Sequence, residues 1–282
     1  MCGGCFCLLC FCASMSAFAF AGDFNNPGFE LFCDVNESPD FNTPIGWDCT
    51  NYAAVVNQFF NRSENWVLDP NIGLLPYEGN YFVLLSSIDG GEVFSEIRQT
   101  ITVHAGDRLT GAYFFGTEDY RPFDDWATIQ LVVPDTNDVV GPNIVHISVA
   151  DVQSYGSLRG WKRFDYIFAP SQSGTYDLKI KVEDKSDTVL ASYFAIDGLV
   201  ICPSFGIIYG DINADCIVNF FDFAMLAADW MCDCNDSNTF NDPNSNCVYG
   251  TDIDDSNFVD LDDLQILTDY WLMSTMQGII EE

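Results

Sequence analysis

Basic residues are scarce in this chain of 282 residues. It contains 42 Asp and Glu but only 10 Lys and Arg, together with 2 His, so its formal net charge is −32. A surface of this charge repels both a phosphate backbone and an anionic membrane, which excludes nucleic acid and anionic lipid as partners. This excess of negative charge favours hard cations as partners instead, and Ca²⁺ is the cation that we expect.

Signatures of catalysis are also missing. The sequence contains no Gly-x-Ser-x-Gly elbow, no His-Glu-x-x-His and no phosphate-binding loop. A glycosidase needs two carboxylates at a set separation, but a chain this acidic contains such pairs by chance. We therefore expect a non-catalytic protein, and a glycoside hydrolase or polysaccharide lyase remains the open alternative.

The only long uncharged apolar run lies at the start of the chain. Residues 1–21 end in Ala19-Phe20-Ala21, the small-x-small pattern that signal peptidase accepts, and we predict cleavage before Gly22. The apolar stretch within it, from Phe6 to Phe20, is too short to span a bilayer, which needs about 20 apolar residues. A short buried helix is the alternative. The prediction places the protein outside the cell or on its surface, without membrane insertion after cleavage.

Seven of the 12 cysteines lie beyond this segment, where export would allow disulfides to persist. Because seven is odd, at least one of them is unpaired or forms an intermolecular bond. We predict that Cys33 pairs with Cys49, and that Cys247 pairs with Cys232 or Cys234. The C-x-C spacing without a nearby His disfavours zinc.

Residues 22–203 have the pattern of a β-rich domain. Runs rich in Val, Ile, Tyr and Phe are separated by turn residues, and residues 176–182 alternate between polar and apolar. Alternation with a period of two gives each strand one core face and one wet face. Many short strands, without a convincing helix before residue 220, predict a β-sandwich of the jelly-roll type.

Residues 204–282 form a second region with a different composition. They carry sixteen acids and no Lys or Arg, so we place a domain boundary near Pro203. The segments beginning at Asp211 and Asp252 repeat each other at an offset of 41 residues, and each continues into an amphipathic helical pattern. We predict that the helices pack on each other with these residues turned inward: Phe223, Leu226, Ala227 and Trp230, and Leu264, Leu267 and Trp271.

Both repeats meet the ligand requirement of an EF-hand type of calcium loop, which takes oxygens from positions 1, 3, 5, 7, 9 and 12. Position 6 of such a loop needs a sharp turn, which falls on Cys216 and Asn257. We predict one Ca²⁺ in each loop, and two acidic surface turns are the alternative. The predicted ligands are Asp211, Asn213, Asp215, Ile217, Asn219 and Asp222 in the first loop, and Asp252, Asp254, Ser256, Phe258, Asp260 and Asp263 in the second.

Through these loops, residues 211–272 resemble the type I dockerin domains of secreted bacterial proteins. The resemblance implies a small all-α, calcium-folded module with two F-hand loops that docks onto a cohesin-like or other surface protein. Positions 10 and 11, which in dockerins often hold a Ser-Thr pair, are Phe220-Phe221 and Leu261-Asp262 here. We therefore take Phe220, Phe221 and Leu261 as candidate partner-binding residues.

The ends of the first region resemble galactose-binding-like jelly rolls, as found in carbohydrate-binding modules. The similarity lies in residues 26–30 (Asn-Pro-Gly-Phe-Glu), in Gly46-Trp47 and in residues 194–200 (Phe-Ala-Ile-Asp-Gly-Leu-Val). It implies a structural Ca²⁺ held by Glu30 and Asp197 on neighbouring strands. A polar pair without a metal is the alternative.

Sugar binding needs exposed aromatic rings beside polar groups, usually on loops. Loop 117–125 is the best candidate surface for a sugar, and a structural lid over the core is the alternative for this loop. We assign Trp47 and Trp161 to the core.

We predict a secreted, non-catalytic protein that binds carbohydrate or a surface. A structural or adhesive protein without a sugar ligand and a component of a polysaccharide-degrading enzyme remain alternatives. The candidate ligand-binding residues are Trp66, Tyr77, Tyr120, Arg121, Phe123 and Trp126.

Overall fold

The computed structural model describes residues 24–34, 42–87, 93–185, 189–204, 209–213, 215–234, 250–254 and 256–273. The predicted signal peptide and Cys247 lie outside the described residues. The chain divides into two compact units: residues up to 201 without 106–108, and residues 106–108 with those from 202 onward. Among the described residues, no helix has the length and apolar character needed to cross a membrane.

The first unit is a sandwich of two five-stranded sheets, which confirms the predicted β-sandwich. One sheet has the strand order β10-β7-β12-β5-β4 and the other has the order β3-β6-β11-β8-β9, while β1 and β2 form a two-stranded ribbon. The strands are β1 (Phe32–Asp34), β2 (Asn42–Pro44), β3 (Asp48–Thr50), β4 (Ala53–Val56), β5 (Phe82–Ser86), β6 (Phe94–Val103), β7 (Arg108–Thr117), β8 (Trp126–Val132), β9 (Val145–Ser148), β10 (Lys162–Ile167), β11 (Gly174–Glu183) and β12 (Ser192–Cys202).

Strand β11 shows how the alternating sequence builds the core between the sheets. Its Ile180 lies opposite Ile97 of β6 on one side and Ile129 of β8 on the other, and all three side chains are fully buried. Burial of one such side chain contributes about 1.5–3 kcal/mol. The intervening Lys179 and Lys181 lie on the wetter face of the same strand.

The outer face of the other sheet is covered as well. On β5, Val83 and Leu85 pack between the two sheets, whereas Phe82 and Leu84 pack outward. The segment 59–74 crosses this outer face and contributes Phe59, Trp66, Leu68 and Leu74 to a second apolar cluster. Strand β5 is therefore buried on both faces.

The described residues of the second unit contain two nine-residue helices, α2 (Phe220–Ala228) and α3 (Leu261–Asp269); the four-residue helix α1 (Val149–Val152) belongs to the first unit. Asn219 and Asp260 cap α2 and α3, each within a capping box. Both helices bury one leucine in a common core, which consists of Ile212, Val218, Leu226, Val259 and Leu267.

Trp230 and Trp271 do not face this core. The two helices end at residues 228 and 269, so both tryptophans lie beyond them, and their side chains are 37% and 40% exposed. Ala227 is also exposed. The predicted inward stripe is therefore wrong at these three positions.

The backbone joins the two halves of this unit reciprocally. Val259 exchanges hydrogen bonds with the chain that follows α2, since it donates to Cys232 O (3.0 Å) and accepts from Met231 N (2.9 Å). Val218 makes the same exchange with the chain that follows α3, through Leu272 (2.8 Å) and Met273 (3.0 Å). Both valines occupy position 8 of their loops, so each loop is joined to the segment that leaves the other half.

The cysteine pairing differs from the predicted one. Cys33 lies on β1 of the ribbon and Cys49 lies on β3 of a five-stranded sheet; both keep their thiols, so the predicted bond between them is wrong. A disulfide joins Cys202 to Cys216, 14 residues along the chain. Cys234 is disulfide-bonded and Cys232 is not.

Candidate functional site

The two repeated loops fold around the aspartate at position 12. Asp222 is completely buried, and its Oδ1 accepts hydrogen bonds from the backbone N–H of Ile212 (2.7 Å) and Asn213 (3.0 Å). Its Oδ2 accepts one from Asn219 N (2.8 Å). In the second loop Asp263 is equally buried and accepts from the three matching positions, Ile253, Asp254 and Asp260 (2.5, 3.2 and 2.9 Å).

The aspartate at position 1 holds the turn of each loop. Asp211 accepts hydrogen bonds from Asp215 N (3.0 Å) and Cys216 N (3.1 Å). Asp252 accepts from Ser256 N (3.0 Å) and Asn257 N (2.9 Å). The two loops therefore share one backbone geometry, at the sequence offset of 41 residues.

Position 6 of each loop adopts a left-handed conformation, which makes the sharp turn that the sequence predicted there. The φ angles are 74° at Cys216 and 70° at Asn257. Asn tolerates this region, whereas a Cβ such as that of Cys costs about 1–2 kcal/mol there. At Cys216 the disulfide to Cys202 offsets this cost, because closing a loop of about 15 residues contributes about 3 kcal/mol.

Carboxylate oxygens converge in both loops. Asp211, Asp215 and Asp222 bring oxygens within 4.8 Å of one another, and Asp252, Asp254 and Asp263 do the same. Burial, followed by the charges of Asp222 and Asp215, raises the pKa of Asp211 to about 6. Hard oxygen donors packed this closely, with the backbone turn already in place, fit the donor set that Ca²⁺ requires.

The remaining predicted ligands lie in the same loops. Asn219 and Asp260 at position 9 cap their helices, by accepting from Phe221 N (2.8 Å) and Asp262 N (2.9 Å). At position 7 the carbonyls of Ile217 and Phe258 accept hydrogen bonds from side chains of the same loops. Asn213 and Ser256 also bond within the loops.

An apolar groove lies between α2 and α3, lined by Phe220, Phe223, Leu264, Leu267, Thr268 and Trp271. Of the candidate partner-binding residues, Phe220 lines this groove, and Phe220, Phe221 and Leu261 are 68%, 70% and 69% exposed. Large apolar side chains with this exposure indicate a contact surface more than a core.

Glu30 and Asp197 hold one short segment between them. Glu30 Oε1 accepts from the N–H of Asn80 (2.7 Å) and Tyr81 (3.0 Å), and Asp197 Oδ2 accepts from Tyr77 (2.9 Å) and Glu78 (3.1 Å). Burial raises the pKa of Asp197 to about 7. Both acids thus fix the segment 77–81 through its backbone. A calcium ion between them stays a prediction, and so does the alternative of a polar pair without a metal.

Trp66 is not an exposed platform, so its prediction as a sugar-binding residue is wrong. It is 5% exposed, and its ring packs in the outer apolar cluster against Phe59 and Phe114. Its indole Nε1 donates to Thr117 O (2.9 Å). Trp47, as predicted, belongs to the core between the sheets.

Tyr77, the second candidate, remains at the surface. Its side chain is 36% exposed and its ring meets that of Trp161 edge to face, with the ring centroids 6.3 Å apart. Trp161, which we assigned to the core, is half-buried at the margin of the outer cluster.

Loop 117–125 presents aromatic rings at its tip. Tyr120 stacks on Tyr155, with centroids 5.4 Å apart and planes inclined by 24°, and meets Phe123 edge to face at 5.3 Å. Tyr120 and Tyr155 are each 37% exposed, and Arg121 is exposed beside them. Trp126 is half-buried at the start of β8. No sequence pattern points to Tyr155, because only the fold brings it to this surface.

No protein-family profile and no curated protein matches this chain. Similar solved structures include TmCBM61 in complex with β-1,4-galactotriose, at 17% identity over 64% of this chain and 98% of that one, with a TM-score of 0.33. The CBM22-1 xylan-binding domain of Paenibacillus barcinonensis Xyn10C is 14% identical over 65% and 96%, with a TM-score of 0.34. The K3 adhesin domain of Lys-gingipain from Porphyromonas gingivalis is 10% identical over 56% and 91%, also at 0.34. The fold class of this chain is defined by its own two sheets.

Proposed function

We propose that this is a secreted, non-catalytic protein in which a calcium-dependent, dockerin-like unit tethers a carbohydrate-binding β-sandwich to a cohesin-like surface protein. The observation that carries the proposal is the pair of loops that match in hydrogen bonds, in left-handed position 6 and in converging carboxylates. Chance acidic turns do not repeat one geometry twice at a fixed offset.

Two loop residues connect calcium binding to the docking surface. Asp222 and Asp263 join the first and last turns of their loops and lie in the first turns of α2 and α3, so order in a loop fixes its helix. When bound, Ca²⁺ supplies the positive charge that balances the clustered carboxylates. Fixing both helices holds the groove and its exposed Phe220 in one shape, which lowers the entropy cost of binding a partner.

Calcium dependence of the helices tests this proposal. The full secreted chain is expected to gain helical circular dichroism when Ca²⁺ is added and to lose it with a chelator, because metal binding is coupled to folding. Helix content that is indifferent to both additions would rule out a calcium-folded unit.

The docking surface is expected to be asymmetric. Phe220→Ala is expected to weaken capture of a cohesin-like partner by about tenfold or more, because truncation of a central aromatic contact costs over 1 kcal/mol. Leu261→Ala, at the matching position of the second repeat, is expected to have less effect because the pair Leu261-Asp262 is less apolar than Phe220-Phe221.

The measurement is capture from the source organism's secreted fraction in calcium, with each variant checked for calcium-dependent helix. Phe221→Ala is the second test of the same face. Equal losses in the two repeats would contradict the asymmetry, and full capture by all three variants would place the interface elsewhere.

The aromatic tip of loop 117–125 is the proposed sugar surface. Tyr120→Ala is expected to lower affinity for the bound glycan by up to about tenfold, since it removes the ring that stacks on Tyr155. A glycan array identifies the ligand, and Tyr209→Ala controls for loss of an exposed tyrosine in the other unit. An unchanged affinity would exclude this surface, and release of reducing ends from array hits would show an enzyme instead of a binder.

A further inference from the structure

A third group of carboxylates lies inside the sandwich, apart from the repeated loops and from Glu30 and Asp197. Asp119 and Asp125 belong to the connection between β7 and β8, and Asp184 follows β11. Oxygens of all three lie within 4.8 Å of one another. Asp119 and Asp125 are completely buried and Asp184 is 5% exposed, so the group differs from an acidic surface cluster.

Hydrogen bonds fix the positions of these residues. Asp125 accepts from Lys185 N (2.9 Å) through one oxygen and from Ser192 Oγ (2.7 Å) through the other. Asp119 Oδ1 accepts from Tyr120 N (2.7 Å). The three carboxylates therefore come from two chain segments, the connection between β7 and β8 and the residue that follows β11, which the sandwich holds together.

Other carboxylate oxygens of the group are buried without a hydrogen-bond donor against them. Each residue makes contacts of its own, but three atoms, Asp119 Oδ2 and both carboxylate oxygens of Asp184, are buried and accept no hydrogen bond. A buried carboxylate oxygen normally has a hydrogen-bond donor or a metal ion against it. Three buried carboxylates also repel one another at this separation unless a proton or a metal cation neutralises part of their charge.

We propose that Asp119, Asp125 and Asp184 form a calcium site in the sandwich. All the donors are hard oxygens, which disfavours zinc with its preference for nitrogen and sulfur. Mg²⁺ is usually bound by one or two carboxylates and keeps several waters, whereas Ca²⁺ accepts several carboxylates at once in a flexible geometry. The buried three-carboxylate group therefore fits Ca²⁺ better.

The site would hold both ends of the connection that carries Tyr120 and Phe123. Asp119 directly precedes Tyr120, and Asp125 ends loop 117–125. A cation shared by the two acids fixes the loop at its base and so orders the aromatic tip. This consequence rests on the proposed sugar binding, but the metal site itself does not.

Counting bound calcium tests the site. We would dialyse the full-length wild-type chain and its Asp184→Asn and Asp119→Asn variants against millimolar CaCl₂. The number of calcium ions per chain is then measured by elemental mass spectrometry. Each variant is expected to bind one calcium fewer than the wild type. Asp124→Asn is the matched control, because Asp124 lies in the same connection but accepts from Ala150 N (2.9 Å) outside the group.

Thermal melting in a chelator distinguishes carboxylates that bind a metal ion from carboxylates that only stabilise the fold. Without the ion, Asp184→Asn and Asp119→Asn remove repulsion, so both are expected to melt at or above the wild-type temperature in EDTA and to lose calcium stabilisation of the sandwich. An unchanged calcium count overturns the site, and so does melting below the wild type in EDTA. A lost calcium without any glycan binding by the wild type would retain the site and reject the sugar function.

Discussion

Asp222→Asn is expected to remove calcium from the first repeated loop and Asp263→Asn from the second. Each aspartate is the buried position 12 residue that accepts three backbone hydrogen bonds and faces the other carboxylates of its loop. An amide cannot supply two anionic oxygens, so calcium affinity should fall by more than about 10–100-fold, the loss that is typical even for partners outside the coordination sphere. The double variant should show no calcium-induced gain of helix.

Calorimetric calcium titration of the full chain, followed by circular dichroism, measures both effects. Asp269→Asn is the control, because it removes one negative charge from the exposed end of α3 and leaves both loops intact. Calcium affinity that is unchanged in Asp222→Asn would show that the first loop is an acidic turn and not a metal site.

Loss of the Cys202–Cys216 disulfide is expected to destabilise the second unit by about 3 kcal/mol, as estimated for a closed loop of about 15 residues. Cys202→Ala shows the full loss. Cys216→Gly should lose about 1 kcal/mol less, because glycine relieves the left-handed backbone at position 6. Cys216→Ala keeps a Cβ at this position and should match Cys202→Ala.

Denaturant unfolding in saturating calcium, followed at the helical dichroism signal, measures these differences. Variants are preferable to a reducing agent, since Cys234 is also disulfide-bonded and would be reduced at the same time. If Cys202→Ala unfolds at the wild-type denaturant concentration, the disulfide adds nothing to stability.

The features that the sequence predicted are those with a local physical cause. The alternation along β11 places Ile180 in the core, and the repeat at an offset of 41 residues gives two loops with one backbone geometry. Position 6 adopts a positive φ in both loops because the turn demands it, even where the residue is Cys216.

The features that it did not predict depend on contacts between distant residues. Trp66 is buried because segment 59–74 crosses the outer face of a sheet, where its indole reaches Thr117. The pairing of Cys202 with Cys216 cannot be deduced from spacing, since several connectivities fit seven cysteines. The carboxylates of Asp119 and Asp184 meet only when β7 and β11 are in place.

The reciprocal backbone pairing at Val218 and Val259 means that neither repeat can be separated from the other without loss of structure. The valine at position 8 of each repeat forms its backbone hydrogen bonds with the segment that follows the helix of the other repeat. A single copy would leave the N–H and carbonyl of its own valine without these partners, beside an incomplete core. The pair of repeats is therefore the smallest part of this unit that can fold. Calcium binding in one loop is expected to raise the calcium affinity of the other, which gives a Hill coefficient above one.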